Sequence, residues 1–392
     1  MAISCINTAS QKSQALMKNK VLYFVGFLSV LGALTTQAQT YFNLSPLVGF
    51  GGSDGWLAPG EGGYTFLGTG NNERGLAYGN GHVYLVSRSG GNFIRRLDPL
   101  TGVDLGSPLD TTGISGGTFA VNTIGVGGDG VIYVNNLTTQ STTSPLKIYK
   151  WTTEASAPAV AYTGNAGLAG SRAGDSLAAF GSGSSTRLAL GYGSTPAVTG
   201  NNSYAVVDPT SGTATAIALP TPPAAGDFRL GITFSDASHV LGAQGSSLYR
   251  YTSFSGSSGT LIASPTIPDP AGASADRLLS YTLLGGRALL AVQSIGDSHV
   301  SVYDASDLAN PVWLASRNNT TGTLTANSNG TGQIAWGDSV YDSVSGRWSV
   351  NLYAMSSNQG IQAFVVTIPE PGTGALALCG LGLLALRRKF RK

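Results

Sequence analysis

The sequence predicts an all-β fold made of repeated, roughly four-stranded units, and three observations carry that prediction. Charged residues make up only 11% of the 392 residues while glycine totals 55, a composition suited to short strands and tight turns. Apolar residues recur in regular segments between turn signals, which sets the chain apart from low-complexity sequences of similar composition. One strand type, with an aromatic or aliphatic anchor and often a polar hairpin after it, also returns at long range. From Leu97 through Tyr149, Val206, Arg250 and Tyr303 to Ala363 the steps are 52, 57, 44, 53 and 60 residues. A period near fifty with about four strands per unit is the signature of a β-propeller. Six anchors give six blades, or seven if one more unit is present, with residues 63–67 as a candidate strand to close the ring. A parallel β-helix has a much shorter rung, and the even spacing argues against a pair of β-sandwiches.

The elements follow in chain order. Lys18 and Lys20 precede an apolar run at 21–34, and Thr36-Gln37-Ala38 supplies small residues for cleavage after Ala38. Residues 1–38 therefore read as a secretory signal helix, with Met17 as an alternative start. The body, 39–367, contains predicted strands at 75–78, 82–87, 93–97, 131–135, 147–151, 187–192, 204–208, 213–219, 247–251, 288–292, 300–304 and 362–367. Asn80-Gly81, Asp129-Gly130, Asp208-Pro209-Thr210-Ser211-Gly212 and Gly285-Gly286 mark hairpins. Asn72–Tyr78 and Asp129–Leu137 give the body a resemblance to propellers of the NHL and quinoprotein-like type.

Residues 368–392 form a separate tail. Pro369-Glu370-Pro371 stands before an uncharged apolar run at 374–386, followed by Arg387, Arg388, Lys389, Arg391 and Lys392. Pro369 and Pro371 disfavour regular helix or strand and leave this stretch extended. As a helix the run spans about 20 Å, short of a bilayer core of about 30 Å, so snorkelling arginines must help. The basic end stays on the cytoplasmic side and places the body outside. These features resemble the PEP-CTERM class of exported bacterial proteins. The resemblance implies an exosortase-type membrane protease as partner and a link to exopolysaccharide. It also implies display on the outer side of the inner membrane and then at the cell surface or beyond.

The formal charge of +2 comes from these address segments. The leader carries three lysines, and the tail carries five basic residues and Glu370. The body keeps 14 basic and 19 acidic groups, a net −5. An acidic body does not attract phosphate backbones, so nucleic acid is rejected as a partner. Cys5 and Cys379 fall in the leader and tail, leaving the body without disulfides.

Several units place charge just before an apolar innermost strand: Glu73-Arg74, Asp175, Asp227 with Arg229, and Asp276-Arg277. With the units aligned, these residues ring the channel mouth, where they either grip a ligand such as a sugar or lock blades together by ion pairs. The three histidines, His82, His239 and His299, lack the close spacing of a zinc site. No metal, cofactor or catalytic motif is expected. Glu73 with Asp227 or Asp276 is the one carboxylate pair to consider for glycan hydrolysis. The sequence thus favours a non-enzymatic surface or matrix protein that binds exopolysaccharide or another surface partner, and the competing reading is a secreted glycan hydrolase or lyase acting in the funnel. Replacing Pro369, Glu370 and Pro371 by alanine is expected to leave an untrimmed form enriched severalfold in membrane fractions, read with an antibody to the last residues; an untrimmed product free in the cytosol would remove the sorting assignment.

Overall fold

Apolar strands separated by polar turns are arranged as six antiparallel sheets in the residues described by the computed structural model, 42–193, 203–219, 226–243, 249–267 and 276–369. Blade 1 comprises Glu73–Gly79, His82–Ser87 and Phe93–Leu97. Blade 2 comprises Phe119–Val126, Ile132–Leu137, Leu146–Trp151 and Ala159–Gly164. Blade 3 is Ala178–Phe180, Arg187–Gly193, Tyr204–Asp208 and Thr213–Ile217, with Arg172–Ala173 added beside its second strand. Blade 4 is Gly231–Asp236, His239–Ala243, Arg250–Ser255 and Ser258–Ala263, and blade 5 is Asp276–Leu284, Arg287–Ser294, Val300–Asp304 and Val312–Arg317. Blade 6 is Gly332–Asp342, Arg347–Ser356, Ile361–Pro369 and, from the other end of the body, Asn43–Pro46, with Trp56–Leu57 on the same strand's edge.

All six anchors of the fifty-residue repeat lie on the third strand of their blades. The expectation of four strands per blade holds for most units, but blade 1 has three, and the blade count among the described residues is six. The ring is not closed by residues 63–67. Gly60, Gly62 and Gly63 have positive φ and 61–63 form a 3-10 turn, which an extended strand cannot accommodate. Closure falls to Asn43–Pro46, which pairs antiparallel with 364–367. The last strand also runs through Pro369, against the expectation of irregular backbone there; a proline at a strand end loses little of the ladder. Among the described residues no helix is long and apolar enough to cross a membrane. The expected signal helix with Ala38, and the span with Glu370, Pro371, Arg387 and Arg388, lie outside them.

The middle strands are buried on both faces, so they read as continuous apolar runs. In His82–Ser87, Val83 and Leu85 pack with Tyr353 and Met355 of blade 6, while Tyr84 and Val86 pack with Val121, Ile132 and Val134 of blade 2. The same turn recurs between strands. In Asp98–Gly102, Asp208–Gly212 and Asp342–Gly346 the aspartate carboxylate accepts from backbone amides two residues on. The closing glycine donates to the aspartate carbonyl at 2.8, 2.9 and 2.8 Å with φ of 75°, 67° and 64°, a region glycine enters without penalty.

The six innermost strands line a central channel. Their inner edges carry backbone groups without a further strand to pair with. Gln333 of blade 6 reaches across to three other blades. Its Oε1 accepts from the amides of Leu76 and Ile124 at 3.1 and 3.0 Å, and its Nε2 donates to the carbonyls of Ile124 and Leu177 at 2.9 and 3.0 Å. Gln333→Leu is expected to destabilise the body by about 2–4 kcal/mol through these lost bonds, measured by chemical unfolding; a change below about 0.5 kcal/mol would show that channel water replaces the side chain without cost.

Candidate functional site

The charged residues named from the sequence stand at the entry of the inner strands, and the fold brings part of the set together. Asp175, 1% exposed, receives Arg172 through Nε at 2.6 Å and Nη2 at 2.9 Å. Arg229 donates from Nε to the same Oδ2 at 2.8 Å, and Arg74 lies 3.9 Å from Oδ1. Blades 1, 3 and 4 are thereby tied across one end of the channel. Burial opposes ionisation of Asp175, but the hydrogen bonds and charge of Arg172 and Arg229 outweigh it and hold the carboxyl below the ordinary aspartate range. Arg74 is pushed down by burial and by the neighbouring charges of Arg172 and Arg229, partly offset by Asp175.

The other members take separate partners. Glu73 is buried, and its Oε1 accepts from the Ser87 hydroxyl at 3.0 Å. Burial raises its pKa against the opposing effect of that bond. Asp227 pairs with Arg250 of its own blade at 2.8 Å. Asp276 is buried with His299 Nε2 at 3.8 Å. Arg277 is half-buried on the next blade, with its carbonyl so close to Gly231 that a Cβ there would stand 1.8 Å away; burial, and then the charge of Arg229, lowers its pKa. The Glu73–Ser87, Asp227–Arg250 and Asp276–His299 contacts lie in blades 1, 4 and 5 respectively, and among the described residues none of them brings two of these carboxylates together. The histidines sit against carboxylates: His82 on Glu154 at 2.6 Å, His239 on Asp236 at 2.8 Å, and His299 on Asp297 at 2.7 Å. His299 is 3% exposed. Among the described residues no cluster of three potential metal ligands occurs.

Two features escaped sequence reasoning. Arg172 completes the Asp175 cluster, and its signal was the three-residue spacing to Asp175. The opposite end of the channel, part of a cavity of about 410 Å³, carries Tyr78, Phe180, Phe234, Tyr281 and Trp336. Each closes an apolar–small–aromatic triplet of its inner strand, such as Leu76-Ala77-Tyr78 and Ile334-Ala335-Trp336. Tyr78 donates to Asp338 at 2.6 Å and Trp336 to the Ser280 carbonyl at 3.1 Å, while Phe180 packs against Phe234 with ring centres 5.6 Å apart.

Residues 367–392 match the PEP-CTERM protein-sorting motif. The chain carries a PEP-CTERM sorting signal. The PEP-CTERM signal is recognised by exosortase, a membrane protein, and directs export and sorting toward the cell envelope or surface. Residues 63–214 match the domain of unknown function DUF4623. A search of curated proteins found no match. Similar solved structures include the major allergen Mala s 1 of Malassezia sympodialis, 12% identical with a TM-score of 0.46, covering 74% of this chain and 91% of that one. A protein of unknown function from Dyadobacter fermentans is 10% identical with a TM-score of 0.42, covering 76% and 96%. The periplasmic gluconolactonase PpgL of Pseudomonas aeruginosa is 12% identical with a TM-score of 0.39, covering 76% and 88%.

Asp175→Asn would leave three guanidinium groups around a neutral amide, and an expected loss of about 3–5 kcal/mol follows. The sign with pH is specific. The depressed pKa of Asp175 contributes stability above the unfolded aspartate range that is lost as pH falls through the folded value. The raised pKa of Glu73 acts oppositely, costing stability as pH rises from the unfolded glutamate range through its folded value. Unfolding measured from pH 2 to 8, roughly spanning both carboxyl ranges, should therefore show a shallower acid loss in Asp175→Asn than in the parent; equal acid slopes would contradict the assignment.

Proposed function

We propose that this PEP-CTERM protein is a non-enzymatic cell-surface or extracellular-matrix protein whose propeller body binds exopolysaccharide at the charged end of its channel. The observation that carries this reading is the gathering of Arg74, Asp175 and Arg229 from three blades at one channel end. Arg277 of a fourth blade packs its carbonyl against Gly231, two residues after Arg229. The partly exposed Asp227, Arg229 and Arg277 offer acceptors and donors for sugar hydroxyls. The buried Glu73, Arg74, Asp175 and Asp276 hold the surrounding backbone and side chains in place. Positioned groups of this kind on converging strands are the ordinary make-up of a binding site.

The rest of the reading concerns placement. The run at 374–386 anchors the exported chain in the inner membrane, with Arg387 and Arg388 on the cytoplasmic side, until exosortase acts at Pro369-Glu370-Pro371. The body between Ala38 and the tail is then the displayed part.

The hydrolase or lyase reading draws on one observation, the buried Glu73 with its raised pKa, a property of general acids. That acid lacks a carboxylate partner in contact with it, so binding without turnover is the stronger reading. Incubating the purified protein with a panel of polysaccharides, and measuring binding and reducing-end release together, distinguishes them. The expected result is saturable binding with no release. Release that disappears in Glu73→Gln would transfer the assignment to the enzyme, and binding to none of the panel would end the glycan reading.

A further inference from the structure

We propose that Arg172, Arg229 and Arg277 form an anion site that receives the acidic group of an acidic saccharide, a uronate carboxylate or a sulfate ester. This rests on the glycan-binding reading above and names the class of glycan.

The site has excess positive charge and unused donors among the described residues. Arg74, Arg172 and Arg229 share the single carboxylate of Asp175. Arg172 and Arg229 both use Nε on the same Oδ2. Among the described residues the bonds of Arg229 use Nε alone and those of Arg172 use Nε and Nη2, which leaves both terminal nitrogens of Arg229 and Nη1 of Arg172 unused there. Arg74 is 5% exposed, so little water reaches its charge. Arg88 adds another cation nearby; it and Arg74 sit over the Phe119 ring at 3.5 and 4.8 Å. The remaining carboxylates of the set are engaged elsewhere, Asp227 with Arg250 and Asp276 next to His299.

Arg277 is the second and independent observation. Among the described residues its guanidinium makes no hydrogen bond and no ion pair, and its Nε is buried without a partner. Its Nη1 rests so close to the Gly330 backbone that a Cβ at 330 would stand 1.9 Å from it. A half-buried cation that feels the charge of Arg229 and has no counter-charge among the described residues is unfavourable. An anion reaching Arg277 and the free edges of Arg229 and Arg172 would relieve that repulsion, and guanidinium forks match carboxylate and sulfate geometry. A neutral sugar would not. The positive character is local, since the body as a whole has net charge −5, so general attraction to polyanions is not expected.

The test uses the full-length protein at about 0.15 M salt, where exposed charges are largely screened. Binding of polygalacturonate, its carboxyl-reduced form, dextran and dextran sulfate is compared for the parent, Arg277→Gln and Lys150→Gln. Expected are binding of polygalacturonate or dextran sulfate, which identifies the acidic group, and about tenfold weaker binding of the neutral polymers. Arg277→Gln should lower acidic-glycan affinity by about tenfold while its melting temperature stays level or rises, because a buried unpaired charge is removed. Lys150→Gln should bind as the parent does. Equal binding of neutral and acidic polymers, or affinity unchanged in Arg277→Gln, overturns the anion site and leaves the glycan reading standing. Loss of binding in Arg277→Gln together with a marked fall in melting temperature assigns Arg277 to packing and overturns it as well. Binding of none of the polymers overturns both.

Discussion

The pairing of Asn43–Pro46 with 364–367 holds the first and last segments of the body in one sheet. A ring of blades has no hydrophobic face to bury at a gap, so an unclosed ring would expose the sides of blades 1 and 6 that now meet through Leu76, Leu85, Tyr353 and Met355. Backbone hydrogen bonds between distant parts of the chain therefore hold together a core made of many separate inter-blade contacts. Trp56–Leu57 adds to the same junction, pairing with Gln362 and Ile361, and Trp56 Nε1 donates to the Gln359 carbonyl at 2.9 Å. Once the ring is closed the inner strands must converge, and their unpaired edges and leading residues meet at the axis.

Two devices occupy that axis, and they differ in physics. Gln333 is neutral and fills the need of four backbone groups on blades 1, 2 and 3. The Asp175 cluster is ionic and joins blades 1, 3 and 4, with more positive than negative charge. Both tie together blades that are not adjacent in the ring. The first is satisfied within the protein. The second retains donors that no described residue uses, and these are at the charged end. The aromatic end, with Tyr78, Phe180, Tyr281 and Trp336, has its polar tips at Tyr78 and Trp336 already bonded to Asp338 and Ser280.

The export signal and the body separate cleanly in chemical character. The apolar and basic residues of the two ends account for the net positive charge of the chain, whereas the body is acidic and free of cysteine. A cysteine-free body needs no oxidative step after export, and its stability comes from packing between blades and from the hydrogen-bonded closure. Several of its arginines are committed to particular carboxylates, Arg95 to Asp104, Arg96 to Glu154 and Arg287 to Asp304, and Arg88 and Arg317 donate to neutral oxygens of Asn71 and Asn319. Against that pattern Arg277, with neither kind of partner among the described residues, stands out.

The fold class was legible because its information is local. Alternation, glycine turns and the spacing of third-strand anchors from Leu97 to Ala363 are properties of neighbouring residues, and strand pairs such as 82–87 and 93–97 follow from them. The sorting signal was legible for the same reason, being a contiguous run of prolines, apolar residues and arginines. The charged positions ahead of the inner strands were visible too, as repeats of Asp and Arg before apolar segments. Their partners were not. That Asp175 would take Arg74 from two blades away, that Asp227 would turn to Arg250, and that Asn43–Pro46 rather than 63–67 would close the ring depend on how blades are stacked in space. Sequence alone determined that the chain is an exported propeller; which charges neutralise one another, and which are left for a ligand, was decided only when closure brought residues from separate blades within a few ångströms, because ionic pairing depends on distance in space and not on distance along the chain.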